Sequence, residues 1–233
     1  MRQLQDNNIT LDAESHTYSL QDDPSFPFTS VTTFIHDYFE PFDGPAIANK
    51  LIKMPKYRGR SAQSLLDEWS AASDMGTAVH AEVEEYIKDT TSPLTLPKSI
   101  GGGKWIDTNI PSHRLMLPEI IIYSKELGIA GTIDLMVYNE ETDEYSLVDW
   151  KTNKAIHTAA YRGKKGIKGP TLTMPDCNFN QYTLQLSIYR FLLEKYYDIK
   201  IAQQVLVHLT EDGAITYRCP YREEVVKEML GIQ

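Results

Sequence analysis

The sequence predicts a protein of the α/β (α+β) class with a mainly helical N-terminal portion, and three observations carry that prediction. Three runs rich in β-branched and apolar residues, 115–124, 129–138 and 145–152, follow one another across short glycine-containing or polar turns and read as adjoining strands. A helical pattern over 181–197 comes next, with Leu184, Ile188, Phe191 and Leu192 at core-facing spacing and Leu186 and Leu193 widening the apolar surface. Upstream, apolar-periodic segments at 31–38, 46–54, 61–71 and 76–87 read as helices. Residues 1–74 are therefore expected to form a hairpin and helical accessory region, and residues 75–233 the core, in one globular unit.

Size and composition agree with one substantial core, since 233 residues at 42% hydrophobic content leave little room for two large domains. The polar opening over 1–8 lacks an apolar signal segment, and no apolar run reaches bilayer-spanning length. A soluble, intracellular protein without a membrane partner is expected, whether cytoplasmic, nucleoid-associated, organellar or phage-encoded. Cys177 and Cys219 cannot supply the four thiolates of an ordinary iron–sulfur or structural zinc site and read as ordinary thiols. The net charge of −9 argues against a broadly basic nucleic-acid coat, yet leaves open a local basic groove beside a carboxylate-bearing metal site. Internal repeats, heptads and low-complexity tracts are absent from the sequence.

Taken in order, residues 9–11 and 16–20, joined by a turn over 12–15, read as a small hairpin, after which Pro24 and Pro27 interrupt regular structure. Ser30 is a candidate cap for the first helix. Lys50, Lys53, Lys56, Arg58 and Arg60 give the following helical region a basic character that suits phosphate contact or plain solvation. In the helix at 76–87, Val79, Val83, Tyr86 and Ile87 form the apolar stripe, with His80 and Glu84 one turn apart beside it. Gly101 to Gly103 has neither the spacing nor the Lys-Ser/Thr ending of a phosphate-binding loop and reads as a flexible connection. Residues 201–209 and 214–218 read as two further strands, and 222–230 as a closing helix.

Chemistry concentrates at the ends of the second and third strands. Alternation puts Leu147, Asp149 and Lys151 on one side of the third strand and Val148 and Trp150 on the other. Asp134 and Asp149 on neighbouring strands suit a hard divalent cation, and Lys151 beside them suits phosphodiester hydrolysis, by orienting water or stabilising transition-state charge. The plainer alternative is a strand-end Asp149–Lys151 salt bridge. Glu119 on the first strand is placed to approach the metal or to pair with Lys151. Tyr161, Arg162, Lys164, Lys165 and Lys168 interleave an aromatic with cations in the long connection over 152–180, which suits single-stranded DNA, against the alternative of a solvated lysine loop. Gln181, Gln185 and Tyr189 recur every four residues and line one side of the buried helix, where polar groups require partners.

Together, Gly76-Thr77-Ala78-Val79-His80, Glu119, Gly131-Thr132-Ile133-Asp134, Asp149-Trp150-Lys151 and Gln185-Leu186-Ser187-Ile188-Tyr189 resemble the RecB-like branch of the PD-(D/E)xK nuclease superfamily. The resemblance extends more loosely to mitochondrial genome maintenance exonuclease-like and phage exonucleases, and it covers about two thirds of the chain. It implies a restriction-endonuclease-like core, a central mixed β-sheet flanked by helices. It further implies that His80, Asp134, Asp149 and the Trp150 carbonyl ligate Mg²⁺ or Mn²⁺, that Lys151 serves hydrolysis, and that Gln185 and Tyr189 position DNA or the active site. Glu119 joins the catalytic set. Ile133 stands where the superfamily's name has proline, and the cluster-binding cysteines of some relatives are missing. The expectation is thus a metal-dependent deoxyribonuclease without an iron–sulfur cluster, an exonuclease acting on single-stranded ends in DNA repair, recombination or replication. Replication or recombination proteins are its expected partners. A structure-selective endonuclease or junction resolvase, and a catalytically silent DNA-binding module, are the alternatives.

Overall fold

The computed structural model of the chain describes residues 4, 6–12, 15 and 17–232. Its N-terminal hairpin pairs β1 (Ile9–Asp12) antiparallel with β2 (Thr17–Leu20). The expected turn residues Ala13 and Glu14, the strand start at His16, and residues 1–3 and 5 of the polar opening lie outside the described residues. β3 (Thr29–Ser30) leads into α1 (Val31–His36), where Ser30 Oγ accepts the Thr33 amide at 3.1 Å as the expected cap. α2 (Gly44–Leu51) starts from an Asp43 cap, with Pro45 in its first turn.

Two expectations are corrected in the next segment. The helices expected at 61–71 and 76–87 are one 27-residue helix, α3 (Ala62–Lys88), capped by Ser61 and running without a break through Gly76. Gly76 is tolerated there because a Cβ at that position would meet Thr152 Oγ1 at 2.9 Å, so the helix packs closely on the chain leaving the sheet. The second correction concerns Gly101 to Gly103, which belong to the buried side of α4 (Pro97–Asn109). Each costs about 1 kcal/mol of helix propensity relative to alanine. The contacts explain the choice: a Cβ at Gly101 would lie 3.0 Å from the Gly213 carbonyl oxygen, and one at Gly103 would overlap Leu94. The start of α4 has no cap of its own. Glu82 from α3 takes that part, accepting the Thr95 and Leu96 amides at 2.9 and 3.0 Å and the hydroxyls of Thr95 and Ser99.

β4 (Leu115–Ser124), β5 (Ile129–Asn139) and β6 (Glu144–Lys151) follow with antiparallel pairing. Two short 3₁₀ turns, Tyr161–Gly163 and Gly169–Thr173, interrupt the long connection to α5 (Asn178–Tyr196). β7 (Ile201–Thr210) then pairs parallel with β6, and β8 (Gly213–Arg218) closes antiparallel on β7 before α6 (Glu223–Met229). The sheet is mixed: β5 takes β3, β4 and β6 as partners, and β6, β7 and β8 continue in order.

Helices cover both faces. Leu147, Ile133 and Leu206 pack with Leu184, Ile188 and Leu192 of α5 and with Val31 and Ile35 of α1. On the other face Leu135, Val148, Trp150 and Val207 pack with Val79 and Val83 of α3 and Ile106 of α4. The chain is therefore a mixed α/β protein whose central mixed sheet is flanked by helices. No helix among the described residues is long and apolar enough to cross a membrane.

Candidate active site

The ladder between β5 and β6 runs from Asn139↔Glu144 to Leu135↔Val148, and the next residues on each strand are Asp134 and Asp149. Beyond that last pair, the Asp134 carboxylate accepts the Trp150 amide at 2.7 Å through Oδ2. A side chain thus satisfies the backbone donor where the β5–β6 pairing stops.

Because Val148 and Trp150 lie in the core under α3 and α4 while Leu147 lies under α5, Asp149 and Lys151 project toward α5, as strand alternation predicts. Asp149 is 2% exposed. Its Oδ1 accepts from Gln185 Nε2 at 3.0 Å, and its Oδ2 lies 2.7 Å from Lys151 Nζ in an ion-pair contact. Gln185 holds three groups at once: its Nε2 also donates to the Tyr189 hydroxyl at 3.2 Å, and its Oε1 accepts from Lys151 at 3.4 Å. The polar line expected along α5 is accordingly satisfied, with Gln181 donating to Asp176 at 2.8 Å. Tyr189 lies over Gly131, where a Cβ would come within 2.5 Å of its ring.

A second group meets the first at Asp134. Ligand atoms of His80 on α3, Glu119 on β4 and Asp134 on β5 all lie within 4.8 Å of one another, and His80 Nδ1 is 3.7 Å from Asp134 Oδ2. Glu119 reaches this position through a positive φ of 52°, between ladder partners Pro118↔Leu135 and Ile120↔Ile133. Such a backbone costs roughly 1–3 kcal/mol in a residue other than glycine. Glu84 lines the same cleft, but its carboxylate is paired with Lys88 at 2.7 Å.

Electrostatics mark this cluster as short of positive charge. Burial and the neighbouring Asp134 carboxylate push the Glu119 carboxyl up to about 8. Burial likewise raises Asp149, with Asp134 adding to the rise and Lys151 opposing it. Burial by itself would lower the Lys151 ammonium, but the Asp149 and Asp134 carboxylates outweigh it and hold the group above its ordinary value. A divalent cation between His80, Glu119 and Asp134 would counter both the burial and the neighbouring negative charge that raise the Glu119 carboxyl. The nitrogen and oxygen donors of His80, Glu119 and Asp134 and the crowding of their carboxylates fit a hard divalent ion.

The cleft of about 950 Å³ over this cluster is bounded by Trp69, Gly76 and His80 of α3, by Lys98 of α4 and by Thr152 to Lys154. Of the basic connection, Lys154 lines it. Lys164 instead pairs with Glu40, Lys168 lies over the Tyr38 ring at 4.4 Å and Arg162 over Tyr161 at 5.2 Å, while the backbone of Lys165 forms an isolated antiparallel bridge with that of Pro175. Tyr161 is 70% exposed. The sequence reading missed Lys98, which donates to the Thr152 carbonyl at 2.7 Å, and Tyr182 and His208, which hold the chain just after Lys151. For Tyr182 a signal was present, since it lies one turn before Gln185 on the same helix.

No family model and no curated protein matches the chain. Among solved structures, one titled "Crystal structure of SSO0001" is 14% identical at a TM-score of 0.40, over 88% of this chain and 73% of that one.

Proposed function

We propose that the chain is a metal-dependent deoxyribonuclease that hydrolyses phosphodiester bonds, acting as an exonuclease on single-stranded DNA ends. The observation that carries the reading is that two groups adjoin at Asp134: His80 and Glu119, which line the cleft with it, and the more deeply buried Asp149, Lys151 and Gln185, two of whose charges interact with the Asp134 carboxylate. A plain strand-end salt bridge explains Asp149 and Lys151 alone, but leaves the histidine and two further carboxylates converging beside them without a use.

His80, Glu119 and Asp134 would hold Mg²⁺ or Mn²⁺, with Asp149 adjoining them, and a bound ion of this kind polarises a phosphoryl oxygen and lowers the pKa of water. Lys151, kept charged by its carboxylate neighbours, places a positive group where phosphoryl charge develops. Gln185 holds Asp149 and Lys151 in register with one another, and Trp150 fixes the Asp134 carboxylate through its amide. Lys98 and Lys154 at the cleft wall supply charge to a phosphate backbone. Neither thiol enters the site; both cysteines are buried and free.

The test is a digestion series on linear single-stranded DNA labelled at either end, its duplex counterpart and closed single-stranded circles, each with Mg²⁺, Mn²⁺ or chelator. Loss of linear strands with survival of circles supports the exonuclease. Cut circles make it an endonuclease, and DNA binding without any metal-dependent cleavage leaves a silent binding module.

A further inference from the structure

Lysine has four rotatable side-chain bonds and about 2 kcal/mol of rotamer entropy, so a hydrolytic lysine needs more than one contact to stay where it is useful. Asp149 and Gln185 approach the Lys151 ammonium from β6 and α5. The third neighbour is the face of Tyr182, whose ring centroid lies 4.6 Å from Nζ, within cation–π range.

That ring is itself anchored. The Tyr182 hydroxyl donates to Asn153 Oδ1 at 2.8 Å, and the carbonyl of Asn153 lies 2.6 Å from Nε2 of His208, a 5% exposed residue of β7 whose register partner is Lys151. Lys98 donates to the preceding carbonyl, that of Thr152, from the other side. The two residues following Lys151 are thus gripped from α4, α5 and β7, and the grip ends on the ring that covers the ammonium.

We propose that Tyr182 is a positioning residue, whose ring, braced through Asn153 and His208, holds the Lys151 ammonium beside Asp149. The proposal rests on the nuclease reading given above. The ring restricts the lysine to few rotamers and excludes water from one side of the ammonium, which leaves Asp149 and Gln185 to set its remaining directions. Tyr182 makes its contact through the ring face, so the hydroxyl serves to hold the ring and takes no part in proton transfer.

The experiment pairs two readouts on Tyr182→Phe, Tyr182→Leu and Asn153→Ala. The first is the side-chain NMR signal of Lys151 in lysine-labelled protein, assigned with Lys151→Arg; methylene protons near an aromatic face are shifted by its ring current whatever the catalytic state. The second is single-turnover cleavage of linear single-stranded DNA with Mg²⁺, with kcat and KM separated. Tyr182→Leu is expected to erase the ring-current shift and lower kcat by about 10–100-fold at unchanged KM. Tyr182→Phe keeps the ring but loses its brace on Asn153, so it moves both readouts in the same direction as Tyr182→Leu and by less. Asn153→Ala, at an exposed position outside the core, moves both readouts in the same direction as Tyr182→Leu and by less, so the test survives if the leucine variant fails to fold. An unmoved Lys151 signal in Tyr182→Leu, or a moved signal with unchanged kcat, overturns the proposal while leaving the nuclease reading intact. A wild-type chain that cuts no substrate overturns the nuclease reading, and the positioning role of Tyr182 in cleavage with it.

Discussion

Gly131→Ala offers a test of how tightly the second carboxylate strand is fitted to α5. The added Cβ would lie 2.5 Å from Tyr189 Cε1, 3.2 Å from its Cζ and 3.1 Å from Val31 Cγ2. Carbon atoms in contact prefer roughly 3.5–4.0 Å, so the ring must retreat by about 1 Å. That retreat stretches the 3.2 Å bond between Gln185 and the Tyr189 hydroxyl past useful range, a loss of about 1 kcal/mol. Overpacking adds about 1–3 kcal/mol, and the lower chain entropy of alanine returns about 0.4–1. The net expectation is a loss of about 1–3.5 kcal/mol, read as a lowered urea midpoint at unchanged slope. In a Tyr189→Leu background the same substitution has less to displace and should cost under about 1 kcal/mol, a coupling expected of residues in direct contact. Equal costs in the two backgrounds would refute the reasoning, because the ring would then not be what excludes a side chain from position 131.

Asp149→Ala and Lys151→Ala should each abolish metal-dependent cleavage while circular dichroism and gel filtration remain those of the wild type; turnover retained in either removes that residue from the site. Lys98→Ala combined with Lys154→Ala should weaken binding to single-stranded DNA and reduce the salt slope by about two phosphate contacts, measured by fluorescence anisotropy across a salt series. Lys164→Ala combined with Lys165→Ala should do less, because Glu40 already neutralises Lys164. Glu82→Gln should destabilise the chain at neutral pH. Burial would raise this carboxyl, but hydrogen bonds from Ser99, Thr95 and Leu96 outweigh it and hold it at about 2, against an ordinary 4.5. Its contribution is therefore complete above about 4.5 and fades as pH falls through 2. Urea midpoints of wild type and variant should converge on acidification, and a gap that stays constant with pH would contradict the assignment.

Elements governed by local pattern were legible in advance. The strand expected at 115–124 coincides with β4, and the α5 helix and the alternation of Asp149 against Trp150 were visible because burial repeats with a period that the chain displays openly. What escaped was set by partners far along the chain. Three successive glycines look like a hinge until Gly213 and Leu94 are seen against them. α4 looks uncapped until Glu82 arrives from another helix. Of the expected site, His80, Asp134 and Glu119 do come together, and Asp149 meets Lys151 and Gln185. The basic connection looks like a free cationic strip until Glu40 and Tyr38, brought close by the fold, occupy Lys164 and Lys168.

The uninterrupted course of α3 has a consequence for what lengths this chain can tolerate. Trp69, Gly76, His80 and Glu84 fall on one stripe of that helix and border one cleft, with Trp69 about three turns, or roughly 16 Å, from His80. Inserting one residue between them would turn everything upstream by roughly 100° about the helix axis and swing Trp69 off the cleft wall. Inserting four would bring the angle back to within roughly 40° and lengthen the wall by about one turn. The helix therefore behaves as a phase-locked spacer, on which variation between Trp69 and His80 is quantised in turns.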